Sequence, residues 1–126
     1  MDKLKKIEAN ELGKFAEDIA ADEYIKEGYA ILERNWRLGK IEIDLIARKE
    51  NIIVFIEVKA RKGDYMKAEE AMTSDKMRRM IRAADSYLRQ QIGDCIYRFD
   101  LVAFNGTKTE YKLEILKDAF ISADLF

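Results

Sequence analysis

Apolar residues first recur at helical spacing, with Leu12, Phe15, Ala16, Ile19 and Ala20 on one face of a 3.6-residue repeat. Asn10 can cap this helix and Gly28 supplies a left-handed stop, so the pattern predicts a helix from Asn10 to about Glu27. The period then drops to two. Three stretches have strand character: Tyr29 to about Leu38, Ile41 to Arg48, and Ile52 to Lys59. Their separators, Gly39-Lys40 and Lys49-Glu50-Asn51, are short enough for hairpins. After Arg61-Lys62-Gly63-Asp64 the helical period returns. Thr73, Ser74 or Asp75 can cap a helix reaching about Gln91, with Met77, Ile81, Ala84 and Leu88 as its inward stripe and Gly93-Asp94 as its end. Two last strands, Ile96 to Phe104 and Thr109 to Leu116, flank the hairpin signal Asn105-Gly106. The order α-β-β-β-α-β-β predicts an α/β fold, a mixed five-stranded sheet flanked by helices. No repeat or linker-like stretch interrupts it, so residues 1–126 read as a single domain.

Alternation within the second and third strands separates charge from apolar mass. Glu42 and Asp44 fall on one face, with Ile41, Ile43 and Leu45 on the other. In the third strand Ile53, Phe55, Glu57 and Lys59 share a face. A tight turn at Glu50-Asn51 pairs residues whose numbers sum to 101, which sets Asp44 opposite Glu57 and Glu42 opposite Lys59. Directly opposed side chains have Cβ atoms about 5 Å apart. A slip by one residue would break this pairing, but it would also turn the apolar face outward. Two carboxylates that close repel unless a cation lies between them.

Composition restricts what such a pair can do. The 126 residues include no histidine, no proline and one cysteine, Cys95. Imidazole-based nucleophilic catalysis, histidine metal centres and multi-cysteine zinc sites are therefore excluded. A lone thiol also suits a reducing compartment. Any metal would be a hard, oxygen-preferring ion. Asp44 and Glu57 could hold Mg²⁺, or Mn²⁺ in its place, with Lys59 on the same face to orient the attacking water in phosphodiester hydrolysis. A cross-strand salt-bridge cluster explains the same spacing equally well. Glu17 shifts the balance: it lies in a helical stripe with Gly13, Ala16, Ala20 and Tyr24, whose small members permit close approach to the sheet; alone it reads equally as a peripheral solvated glutamate, but with Asp44 and Glu57 it reads as a third metal-site acid.

Net charge is −1, from 23 basic and 24 acidic residues, which does not by itself suggest a nucleic-acid binder. Basic groups nonetheless concentrate in residues 59–89, where Arg61, Lys62, Lys76, Arg78, Arg79 and Arg82 could contact phosphates or simply form a solvated helix face. Lys76 begins a stripe with Met80, Ala83 and Tyr87, so it either reaches over the sheet or is a solvated helix start. The longest purely aliphatic and aromatic run, Ile52 to Ile56, is far shorter than the roughly 18 residues of a membrane span. The opening Met1-Asp2-Lys3-Leu4-Lys5-Lys6 lacks a secretory apolar stretch, so a cytoplasmic location without membrane contact is expected.

The ordered series Gly13-x-x-x-Glu17, Asn35-Trp36-Arg37, Glu42-Ile43-Asp44-Leu45-Ile46-Ala47, Val54-Phe55-Ile56-Glu57-Val58-Lys59-Ala60-Arg61, Lys76 and Arg98-Phe99-Asp100 resembles the YraN family. That family is related to archaeal Holliday-junction resolvases, within the PD-(D/E)xK or restriction-endonuclease-like nuclease superfamily. The resemblance runs from about Glu11 to Val102. It implies a restriction-endonuclease-like core with Asp44, Glu57 and the Val58 carbonyl as metal ligands. It also implies Lys59 as catalytic lysine and Glu17 as helix-borne acid. Ile43 stands where the superfamily motif has proline, and Ile41 where the family usually has glycine.

The expectation is a Mg²⁺-dependent endonuclease acting on branched or otherwise structured DNA, for which the resolvase analogy suggests a homodimer. The alternative is a non-catalytic nucleic-acid-binding module with the same fold. Trp36 and Tyr65-Met66 could stack on unpaired bases, though core packing suits Trp36 better. Asp100 reads as structural and Cys95 as a small buried apolar residue.

Overall fold

The computed structural model describes residues 2–63, 65–91 and 93–121. Helix α1 runs over Lys3–Lys26, beginning well before the expected Asn10. Its cap is Asp2, whose side chain accepts the Lys5 N–H at 2.9 Å. Residues 3–11 are exposed on every side, so no apolar periodicity marks those turns. The helix stops where expected. Gly28 has φ 96°, its N–H donates to the Ile25 carbonyl, and the Tyr29 N–H donates to Tyr24. That pair of bonds is a Schellman closure, which needs a left-handed residue at the position Gly28 occupies.

Strands β1 (Ala30–Leu38), β2 (Ile41–Lys49) and β3 (Ile52–Arg61) follow as two hairpins. A short 3-10 turn at Ala68–Glu70, which no sequence pattern announces, leads to helix α2 (Ser74–Leu88), capped by Thr73. Strands β4 (Ile96–Gly106) and β5 (Tyr111–Leu116) complete the chain. The five strands form one sheet in the order β1-β2-β3-β4-β5. Only β3 and β4 are parallel, with α2 as their crossover. The observed element order is the expected α-β-β-β-α-β-β.

Three local expectations are corrected. Asn105 and Gly106 are not the last turn but its flanking strand residues, paired with Lys112 and Tyr111. The loop is residues 107–110, closed by the Thr107 N–H on the Glu110 carbonyl. Helix α2 ends at Leu88, short of Gln91. Its deepest face is Met80, Ala83, Ala84 and Tyr87, while Met77, Ile81 and Leu88 lie half-buried at the border. Small alanines, rather than the bulkiest aliphatics, lie where the helix crosses the sheet most closely.

Each sheet face carries its own core. On the α2 face, Phe55 stacks on Phe99 and Tyr87 meets both Phe55 and Trp36 edge-on. On the α1 face, Leu45, Val54, Ile56 and Val102 pack against Ala16, Ala20 and Tyr24. The buried Asp100 fits its structural reading. It accepts hydrogen bonds from the Tyr24 hydroxyl (2.6 Å), from Arg98 Nε (3.0 Å) and from the Asp118 N–H (2.9 Å). Cys95 is a half-buried free thiol against the α2-side core.

Candidate functional site

The β2–β3 ladder runs from Lys49↔Ile52 to Leu45↔Ile56, the expected register. It stops there, one pair short of Asp44 and Glu57. Beyond it the two-residue alternation breaks: Ile43 packs in the α2-side core with Ile46, whereas Leu45 packs on the α1 side. The expectation that Ile41, Ile43 and Leu45 share a face is thus overturned at Asp44. On β1, Trp36 pairs with Ile43 and Arg34 with Leu45, so Asn35 lies across from the break, and it takes a left-handed φ of 52°. A two-state pleat cannot continue through such a residue without an irregularity.

Asp44 is consequently no ladder partner of Glu57, yet the two remain together. Asp44 Oδ2 accepts the Val58 N–H at 2.8 Å, and its carboxyl lies against that of Glu57. Both are buried, at 7% and 4% exposure. Burial first, and then the Glu57 charge, push the Asp44 carboxyl up to about 7, against the opposing pull of the Val58 amide and Lys76. Burial likewise raises Glu57, countered by Lys76 and Lys59.

Lys76 resolves the two readings of its stripe. From the first turn of α2 its ammonium forms an ion pair with Glu57 Oε1. Lys59 is exposed, on the same sheet face as Glu57. A pocket of about 200 Å³ opens over this cluster, lined by Lys40, Ile41, Glu42, Asp44, Glu57, Lys76, Arg79 and Met80. Lys40 is a member that the sequence pattern missed, because a turn lysine has no periodicity to mark it. Glu42 does not face Lys59 as expected; its ladder partner is Arg37, which it meets at 3.4 Å.

Glu17 approaches from the other side of the sheet. It is half-buried and accepts from Asn35 Nδ2 at 3.0 Å. Burial raises its carboxyl, and the charges of Asp44 and Glu42 add to the effect despite the Asn35 bond. Among the described residues no three acidic or cysteine side chains converge as a metal-holding group, so Glu17 stands beside the Asp44–Glu57 pair rather than within it.

The basic residues disperse. Lys76 and Arg79 reach the pocket. Arg61 and Lys62 lie exposed at and beyond the end of β3, and Lys62 borders a separate groove with Lys5, Glu8 and Lys108. Arg78 pairs with Asp75 at 3.0 Å, and Arg82 borders a groove with Asp85 and Tyr97. Of the stacking candidates, Trp36 is half-buried against Tyr87 and Met66 is buried. Asn105 holds Met66 by accepting its N–H and donating to its carbonyl, both at 2.8 Å. Tyr65 is exposed, with its hydroxyl on Glu114.

Fold and site together define a small α/β protein whose central sheet brings two buried carboxylates against a lysine ammonium. The chain belongs to the YraN family: the model of "Uncharacterised protein family UPF0102" matches residues 16–104, from the middle of α1 into β4. Among similar proteins, UPF0102 protein FP2501 of Flavobacterium psychrophilum is 40% identical over 114 residues, covering 90% of this chain and 96% of that protein. A UPF0102 protein of Phocaeicola vulgatus is 42% identical, covering 90% and 94%. One from Clostridium perfringens is 42% identical, covering 86% and 93%. Among the described residues no helix is long and apolar enough to cross a membrane.

Proposed function

We propose that this chain is a Mg²⁺-dependent endonuclease with a restriction-endonuclease-like core, hydrolysing phosphodiester bonds in branched or structured DNA in the cytoplasm. The observation that carries this reading is the buried Asp44–Glu57 contact at a pocket lined by Lys40, Lys76 and Arg79. Two buried carboxylates held in contact are costly without a cation between them. Their all-oxygen donors suit a hard divalent ion, and a lysine ammonium already lies against one of them. The site therefore fits Mg²⁺, with Mn²⁺ as a substitute.

Asp44 and Glu57 would hold the ion. The Val58 carbonyl would join them, because the N–H and C=O of one strand residue project to the same side and this N–H points to Asp44. Bound there, the ion would polarise the scissile phosphate and lower the pKa of its water. Lys59, on the face of Glu57, would orient that water, and its ammonium would offset the charge that builds on the phosphate oxygens. Lys40 and Arg79 would hold the phosphate oxygens at the pocket wall, and Arg61, Lys62, Arg78 and Arg82 would contact the backbone farther out. Glu17, across the strand break, would tune Asp44 through its charge. A homodimer would place two such sites for paired cuts.

The test is a cleavage assay with Mg²⁺ or Mn²⁺ on linear, flapped and four-way DNA, with Asp44→Ala and Glu57→Ala as controls. Metal-dependent cutting that both variants lose supports the reading, and cutting that survives them refutes it. Salt-sensitive binding with no cleavage under either ion would favour the non-catalytic module instead.

A further inference from the structure

Lys76 occupies an unusual position for a surface cation. Its side chain is 41% exposed, yet its ammonium is spent on Glu57, whose side chain is 6% exposed. It extends from the first turn of a helix that the α2-side core fixes through Met80, Ala83 and Tyr87. Arg79 and Lys40 line the same pocket, so three cations border it together with the acid pair. Glu57 is the acid that a divalent ion would need, and an ammonium and a divalent ion held on the same carboxylate repel each other at close range.

We propose that Lys76 is a latch that couples metal loading to substrate binding: it covers Glu57 in the metal-free protein and, when Glu57 turns to a divalent cation, releases its ammonium to a phosphate oxygen of the DNA. This rests on the nuclease reading above and adds a role for one residue. Two opposite effects of removing the charge follow. The metal no longer has to displace an ion pair, so its affinity rises. The substrate loses one phosphate contact, so its affinity falls. A lysine that stayed on Glu57 with the metal bound would leave the affinity for DNA unchanged.

The full-length chain, Lys76→Met and Lys76→Arg would be titrated calorimetrically with Mn²⁺ alone. Binding of four-way DNA in Ca²⁺ would then be followed by fluorescence anisotropy across a salt series. For Lys76→Met we expect Mn²⁺ to bind about tenfold more tightly and DNA about tenfold more weakly, with the salt slope reduced by about one. Lys76→Arg should stay near the wild type in both. Circular dichroism checks the fold, and Lys76→Gln replaces Lys76→Met should that variant not fold. Mn²⁺ affinity that is unchanged or weaker in the neutral variant, or unchanged DNA affinity, overturns the latch and leaves the nuclease reading standing. A wild-type chain that binds no Mn²⁺ overturns both.

Discussion

The Val58 N–H donates to Asp44 Oδ2 at 2.8 Å although the β2–β3 ladder has already ended at Leu45 and Ile56. The bond does what the ladder would not. It draws the Asp44 side chain onto the backbone beside Glu57 and keeps two acids in contact against their repulsion. The next ladder bond is exchanged for a carboxylate aimed into the pocket.

Burial and the Glu57 charge push Asp44 to about 7, whereas an unfolded aspartate titrates near 3.9. Between those values the folded chain keeps a proton that the unfolded chain has lost, so metal-free stability falls as pH rises from about 4 to 7. Asp44→Asn keeps an acceptor for Val58 without the charge. It should flatten this slope, raise metal-free stability by about 1–2 kcal/mol at pH 8 and abolish Mn²⁺ binding. Urea unfolding across pH, with and without Mn²⁺, measures all three; a variant no more stable than the wild type would refute the strain assigned to the pair.

Lys59 is exposed and its proposed task is to orient the water and offset transition-state charge rather than to retain the metal. Lys59→Ala should therefore lower the cleavage rate by about 10²–10³-fold while leaving Mn²⁺ affinity within about threefold. Single-turnover cleavage alongside calorimetry separates the two quantities. Loss of metal binding in this variant would reassign the residue.

Tyr24 joins α1 to β4 through its hydroxyl on the buried Asp100 at 2.6 Å. Tyr24→Phe removes one donor but leaves Arg98 and the Asp118 N–H on that carboxylate. A loss of about 1–2 kcal/mol is expected in denaturant unfolding, with Mn²⁺ affinity unchanged.

Gly106 closes the β4–β5 loop at φ 135°, where an added Cβ would lie 2.3 Å from the Glu110 carbonyl oxygen and 2.7 Å from the Tyr111 Cα. Both neighbours are backbone and cannot swing aside. Gly106→Ala should cost about 2–4 kcal/mol, read as a lowered melting temperature.

Element order and the β2–β3 register were legible because alternating apolar residues and a short turn over-determine them. The Asp44–Glu57 association was legible for the same reason, but its geometry was not. The break in alternation at Asp44 lies across from Asn35 of the neighbouring strand in a left-handed conformation, which asparagine tolerates without announcing it. The early start of α1 was not legible because residues 3–11 are all exposed and carry no apolar stripe, so their helicity rests on the Asp2 cap and on propensity. Lys40 and the ion pair of Lys76 are meetings of distant segments. Spacing could only set Lys76 on the right stripe; the crossing of α2 over the sheet decides what it reaches.

Helix α1 is in effect a cantilever. Its C-terminal end is fixed by the Schellman closure at Gly28 and by Tyr24 on Asp100, its middle rests on the sheet through Ala16 and Ala20, and its first two turns overhang with every residue exposed. Glu17 lies close to the fulcrum, bonded to the kinked Asn35. Glu17 and Asn35 thus tie the supported part of the helix to the strand that runs beside Asp44.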